Sequence, residues 1–242
     1  MTATVQPPAP TTFRGHLHAL NGAQKNGAGV PAYMRWINRR LARVIAAASA
    51  TIGLTPNMVT AFSAALSGAG LAIMIVFPPS WWSAPLTGVL LAAGFVFDSA
   101  DGQVARLTGR SSPAGEWLDH VVDAVRTPMI HLSVAVAVVL HLPDLILLAV
   151  VALLFTVMSV GQFMSQILAE QLVRDDDGHQ PEGRGIRKSV MLLPTDTGVL
   201  CWSFVLWAVP PLFAVSYGAL FVINLVHTAA SMRRKFLKLA SL

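Results

Sequence analysis

The sequence predicts an all-α integral membrane protein, a bundle of six transmembrane helices preceded by an N-terminal interfacial amphipathic helix. Three observations carry this. Only 12% of the 242 residues are charged and 54% are hydrophobic, whereas soluble domains carry about 25% charged residues. Apolar runs of about 20 residues, enough to cross a hydrocarbon core, recur along the chain, and the mean hydropathy is +0.60. Apart from Arg126, Lys and Arg occur at alternate ends of those runs, in the flanking segments and in every second loop.

The elements come in this order. Residues 1–29 are rich in Pro, Ala, Gly and Thr, lack the pattern of a signal peptide, and read as a disordered cytoplasmic lead-in. Residues 30–52 alternate Arg35, Arg39, Arg40 and Arg43 with Met34, Trp36, Ile37, Leu41, Val44 and Ile45. At helical spacing this gives one basic and one apolar face, the pattern of a juxtamembrane helix lying on the bilayer. Residues 53–242 read as one six-span domain. Its spans are expected near Asn57–Phe77, Ala84–Leu107, Gly115–Leu140, Asp144–Val173, Met191–Val209 and Leu212–Met232.

Loop charge sets the orientation. Basic residues precede the first span, come after the sixth, and occupy the second and fourth loops as Arg106, Arg110, Arg174, Arg184, Arg187 and Lys188. The opposite loops, Pro78–Ser83, His141–Pro143 and Pro210–Pro211, hold no Lys or Arg. The positive-inside rule therefore places both termini and the basic loops in the cytoplasm, with Trp81 and Trp82 in an outer aromatic belt. The net charge of +5 bears on topology and anionic lipid, not on nucleic acid. Cys201 is the sole cysteine, which excludes an internal disulfide. Neither a glycine-rich phosphate loop followed by Lys-Ser/Thr nor a His/Cys metal spacing is present.

Chemistry concentrates between Asp98 and Asp123. Asp98 and Asp101 lie three residues apart on the second span, and Asp119 and Asp123 lie four apart on the third. Each pair shares a helix face. A single Asp within a span costs about 3 kcal/mol at the bilayer centre, less towards the interface, and clustered carboxylates repel. Arg106 supplies one compensating charge. Divalent cations bound through oxygen supply the remainder, Mg²⁺ or Mn²⁺ rather than zinc because no His or Cys joins the set. Spacing alone leaves one metal or two open; four carboxylates and a phosphate-bearing substrate fit two. The competing reading makes the four Asp solvated loop carboxylates paired with Arg106 and Arg110. Gly102, Ala105 and Gly115 flank the carboxylates as small residues that admit a close ligand or backbone.

The segment reads D-x2-D-G-x2-A-R-x8-G-x3-D-x3-D, with Asp98, Asp101, Gly102, Ala105, Arg106, Gly115, Asp119 and Asp123 at the fixed positions. It resembles the signature of the CDP-alcohol phosphotransferase (CDP-alcohol phosphatidyltransferase) family. Leu54-Thr55-Pro56-Asn57 resembles a further family feature near the nucleotide. The resemblance implies an enzyme of phospholipid biosynthesis in the cell (inner or plasma) membrane, with a cytoplasmic active site and a homodimeric assembly. It implies that Asp98, Asp101, Asp119 and Asp123 bind two metal ions, that Asp123 also serves as or beside the base, and that Asn57, Gly102, Ala105, Arg106 and Gly115 surround the CDP. The acceptor hydroxyl then attacks the phosphorus on the lipid side of a CDP-linked lipid, presumed to be CDP-diacylglycerol, and CMP leaves.

The acceptor is less legible. Arg126 either grips an acceptor phosphate or pairs with Asp123 or Asp119. Arg184, Arg187 and Lys188 either complete that anion pocket or are positive-inside loop charges. These cations favour a phosphorylated polyol such as inositol phosphate or glycerol phosphate. His120 gives the D-H-x2-D variant of choline and ethanolamine members, so transfer from a CDP-amino alcohol to diacylglycerol is the alternative. A prenyltransferase would need acidic motifs on two separated helix pairs. A cation-binding transporter would leave Gly102, Ala105, Arg106 and Gly115 without a reason.

Overall fold

The computed structural model describes residues 12–22, 30–173 and 186–241, and every regular element among them is helical. The first is α1, Phe13–Gly22, which lies inside the segment read as a disordered lead-in. Its Leu17 and Leu20 share a face at i,i+3 spacing and pack with Ala42, Ala46, Val59 and Val104. Composition concealed this because two leucines suffice to dock a short helix when a surface of small side chains awaits them.

A π-helical turn, Met34–Asn38, leads into α2, Arg39–Thr51. The helix turns Ala42, Ala46 and Ala47 inward, while Ile37, Leu41 and Val44 stay exposed. Its small residues thus face protein and its large apolar ones face outward. Buried Asn38 fixes the helix to the bundle, its Nδ2 donating to Ser99 Oγ at 2.5 Å and to the Phe95 carbonyl at 3.3 Å.

Four long helices come next: α3, Pro56–Val76; α4, Ser83–Thr108; α5, Pro113–His141; and α6, Ile146–Val173. Local chemistry sets their ends. Thr55 caps α3 by accepting from Met58 N, and Ser112 caps α5 by accepting from Gly115 N at 3.1 Å, each with proline next in the helix. Gly109 ends α4 in the left-handed region at φ +67°, where a side chain would be strained. The resulting four-residue turn makes α4 and α5 an antiparallel hairpin. Helix α3 approaches α4 closely: Ser63 Oγ donates to the Gly94 carbonyl at 2.9 Å, and a Cβ on Gly94 would collide with Ser67 Oγ. Small and hydroxyl residues at a crossing are how membrane helices bring backbones together.

The last part of the chain departs from expectation. Among the described residues five helices are long and apolar enough to cross a membrane, so the protein is multi-pass, but the expected fifth span over 191–209 is not one continuous helix. It comprises part of α7, Ile186–Met191, a 3₁₀ turn at Leu193–Thr195, α8, Thr197–Ser203, and a 3₁₀ stretch, Phe204–Ala208. Pro194 interrupts the helix, and Asp196 restarts it as the cap that accepts from Gly198 N at 3.0 Å. The final helix is α9, Pro210–Leu239. It runs parallel to α6: Phe155 meets the rings of Tyr217 and Phe221 at a tilt, and Gln162 Oε1 accepts from the Thr228 hydroxyl. Parallel neighbours joined in sequence require the chain between them to return along the bundle, and the short apolar helix Thr197–Ala208 is the described part of that return. Its Phe204 and Trp207 pack with Phe213 and Tyr217 in the buried aromatic core.

Candidate functional site

The α4–α5 hairpin brings the acidic residues together. Asp98 lies about 15 Å from the end of α4, and Asp119 and Asp123 about 9 and 15 Å into α5, at 1.5 Å per residue. Because the helices are antiparallel these depths coincide. One carboxylate oxygen from each of Asp98, Asp119 and Asp123 lies within 4.8 Å of the others. The three residues are partly buried, and the donor set is oxygen only. That composition and spacing fit a hard divalent cation.

Asp101, expected as the fourth ligand, stands outside this triad. It is buried, and its Oδ2 accepts from Thr60 Oγ1 of α3 at 2.6 Å. The hydroxyl fixes the carboxylate one turn along α4 from Asp98. Arg126 lies among the carboxylates: it pairs with Asp98 at 2.8 Å and with Asp123, and donates to Ser63 Oγ at 2.8 Å. One guanidinium thus ties α3, α4 and α5 and offsets part of the acidic charge. Of its two sequence readings, the structure displays the pairing with Asp123, and adds Asp98.

The residues expected around a nucleotide gather at the same end. Gly115 lies beside Asn57, whose Oδ1 would be 3.4 Å from a Cβ at that glycine. A Cβ at Gly102 would likewise lie 3.4 Å from Arg106 Nη1. Ala105 is half-buried one turn from Asp101, and Arg106 is exposed. Arg39 of the amphipathic helix joins them. Burial first, then the nearby guanidiniums of Arg106 and Arg35, push Arg39 below the usual arginine range. Clustered like charges of this kind make a local field that favours an anion.

Sequence reasoning passed over Thr60, Ser63 and Arg39. A signal for the first two existed: Thr60, Ser63 and Ser67 form a buried hydroxyl stripe at i,i+3,i+7 in an otherwise apolar span. Of the loop cations, Arg184 lies outside the described residues, and Arg187 and Lys188 belong to α7 with only their backbone described. His120 is 4.0 Å from Glu116 on the surface of α5, away from the carboxylate triad.

A cavity of about 350 Å³ lies between α5, α6, the segment around Pro194–Thr197, and α9. Thr127 and His131 of α5 form one wall and Lys235 of α9 lies at one end. Nothing in the local sequence announces it, because its lining is contributed from residues 127 to 235.

The model of the CDP-alcohol phosphatidyltransferase family matches residues 53–230. The chain is 33% identical over 100 residues to an archaetidylinositol phosphate synthase of Aeropyrum pernix, covering 40% of this chain and 48% of that protein. It is 30% identical over 86 residues to an archaetidylinositol phosphate synthase of Pyrococcus horikoshii, covering 36% and 43%. A bifunctional IPC transferase and DIPP synthase of Archaeoglobus fulgidus is 33% identical over 105 residues, covering 43% and 20%. The chain thus spans about half or less of the length of the curated relatives it matches.

Proposed function

The chain belongs to the CDP-alcohol phosphatidyltransferase family, and from that membership and the site geometry we propose that it transfers a phosphatidyl group from a CDP-linked lipid, CDP-diacylglycerol, to an acceptor alcohol with release of CMP. The observation that carries this reading is the convergence of the Asp98, Asp119 and Asp123 oxygens within 4.8 Å, beside the nucleotide-facing positions Asn57, Gly102, Ala105, Arg106 and Gly115. The names of the relatives support an acceptor of the inositol phosphate class, a phosphorylated polyol.

Asp98, Asp119 and Asp123, with Asp101 one turn along α4, would hold two divalent ions, Mg²⁺ or Mn²⁺, which would supply charge neutralisation for the pyrophosphate and the departing CMP. Asp123 takes the proton of the acceptor hydroxyl. The acceptor oxygen forms a bond to the lipid-side phosphorus as the bond from that phosphorus to the bridging oxygen breaks, and CMP departs with the electron pair. Arg106, with Arg39 behind it, holds the pyrophosphate against the hairpin. Gly102 and Gly115 leave room for the nucleotide. Thr60 and Arg126 hold the carboxylates in register, so charge stabilisation is in place before the reaction begins. The site lies at the cytoplasmic side of the cell membrane, and a homodimer is the assembly that family membership implies.

The test is CMP release by the purified chain with CDP-diacylglycerol, Mg²⁺ and a panel of acceptors. Replacing a general base costs about 10²–10⁴-fold in rate, so Asp123→Asn is expected to lose release to that extent with its fold retained by circular dichroism. Undiminished release by this variant, or no release by the wild type with any acceptor, overturns the reading.

A further inference from the structure

Arg126 is the one Lys or Arg set well away from both ends of a long apolar helix. It lies about 20 Å along α5 from Pro113 and about 5 Å beyond Asp123, at 1.5 Å per residue. A cation at such a depth is tolerated where protein surrounds it and pairs it. Its side chain is 9% exposed. Helical side chains lean towards the N-terminus, so Arg126 reaches back to the carboxylates from the membrane side and leaves the end near the α4–α5 turn open.

Three helices fix the guanidinium. Nη1 donates to Ser63 Oγ of α3 at 2.8 Å. Nη2 donates to Asp123 Oδ1 and lies 2.8 Å from Asp98 Oδ1 of α4. Ser63 is fully buried and directs its own proton to the Gly94 carbonyl at 2.9 Å, so its oxygen faces Arg126 as an acceptor. Asp98 Oδ1 is buried and has no hydrogen bond among the described residues. The adjacent guanidinium is therefore what offsets its charge. Moving Arg126 out to grip a substrate phosphate would leave two buried carboxylate oxygens uncompensated, so its place is with the carboxylates.

Charge counting then gives it a further role. The four signature aspartates carry four formal negative charges, and Arg126 leaves three. A first divalent ion brings the set to one negative charge, and a second takes it to one positive charge. A buried excess of either sign is unfavourable. The pyrophosphate of a CDP-linked lipid brings two negative charges, and exposed Arg106 at the nucleotide side supplies the last positive one, so the full complex is neutral. Without Arg126 the aspartates alone would balance two ions, and the second ion would have no need of the donor.

We propose that Arg126 is a positioning residue that serves as a built-in counter-ion: it holds Asp98 and Asp123 in place and makes binding of a second divalent ion depend on the pyrophosphate of the donor. This rests on the transferase reading above. One ion is resident, and the second binds together with the CDP-lipid.

The experiment counts Mn²⁺ bound to the full chain in phosphatidylcholine nanodiscs by equilibrium dialysis, with and without CDP-diacylglycerol and with no acceptor present, against protein-free nanodiscs of the same lipid content. One tightly bound ion is expected without the donor and two with it, the affinity for the second rising about tenfold or more. Arg126→Gln removes the charge and is expected to bring the two second-ion affinities to within a few-fold of each other. Arg126→Lys keeps the charge and loses the fork, so it is expected to keep the donor dependence while slowing CMP release. Melting gives a second readout. In EDTA, Arg126→Gln is expected to melt below the wild type, and saturating Mn²⁺ to narrow the gap; a residue that only packs would leave the gap unchanged. Two ions on the wild type without donor, an unchanged donor dependence in Arg126→Gln, or a melting gap that Mn²⁺ does not narrow overturns the inference, while CMP release by the wild type keeps the transferase reading. If Arg126→Gln does not fold, Arg126→Lys decides: loss of donor dependence with the charge retained overturns the inference. Absence of CMP release with every acceptor removes the transferase reading itself.

Discussion

The four signature aspartates do different work even though the sequence presents them as equivalents. Asp98, Asp119 and Asp123 converge, whereas Asp101 is buried against α3 and held by Thr60 at 2.6 Å. Removing that hydroxyl leaves the Asp101 carboxylate without its donor from α3, with, among the described residues, only the neighbouring Gly102 N–H on its other oxygen. Losing an outer partner of a metal ligand costs about 10–100-fold in metal affinity. Thr60→Val, close in shape, is therefore expected to raise the Mg²⁺ concentration for half-maximal CMP release by about that factor, with the maximal rate recovering at high Mg²⁺. An unchanged Mg²⁺ requirement would detach Asp101 from the metal site. This residue shows where sequence legibility stopped. Spacing within one helix reports which side chains share a face, so the D-x2-D and D-x3-D pairs were readable. It does not report what a neighbouring helix places opposite them, and Thr60 is 41 residues from Asp101.

At the scale of elements, the amphipathic helix and the broken segment before α9 form one joint. Tyr33, just before the π-helical turn, lies against Gly198: a Cβ there would collide with the tyrosine ring. The Tyr33 hydroxyl accepts from Trp202 Nε1 at 2.9 Å, Asp196 caps α8 while accepting from Met34 N, and Arg35 donates to Ser189 Oγ at 3.2 Å. Overpacking a close contact of this kind costs about 1–3 kcal/mol. Gly198→Ala is expected to lower the denaturation midpoint accordingly, and Tyr33→Ala in the same chain to recover part of the loss. A melt unchanged by Gly198→Ala would show that the joint yields freely. Hydropathy marked 191–209 as a span because it averages over a window, and averaging cannot see Pro194 and Asp196 ending one helix and starting another. The sequence did contain both residues, and Asp196 starts the second helix by accepting from Gly198 N.

At the scale of the whole molecule, the number of crossings decides on which side each piece of the site lies. The long helices α3 to α6 fix four passes by length. Length alone leaves the next crossing ambiguous: Thr197–Ala208 has 12 residues, about 18 Å at α-helical rise, shorter than a hydrocarbon core of about 30 Å. The parallel pairing of α6 with α9 resolves this, because Gln162 meets Thr228 and Phe155 meets Tyr217 and Phe221 in increasing order. Two neighbours running the same way need a return between them, so the short helix is expected to make the fifth pass; it lies on the α4 side, where a Cβ on Gly88 would meet the Cys201 carbonyl at 3.2 Å. Loop charge then assigns the sides. In a Cys201→Ser background, single cysteines at exposed Trp81 and Leu212 are expected to react with an impermeant maleimide on intact cells, and cysteines at Ser111 and Ser241 only after the membrane is opened. Labelling of 111 before 81 would invert the orientation and expose the carboxylate hairpin to the outside, away from a cytoplasmic supply of CDP-lipid. Labelling of 241 on intact cells, with 212 reacting only after the membrane is opened, would instead mean that the short helix turns back without crossing. Helix α9 would then have to run against α6, which the Gln162–Thr228 register forbids; the bundle itself therefore stands or falls with position 212.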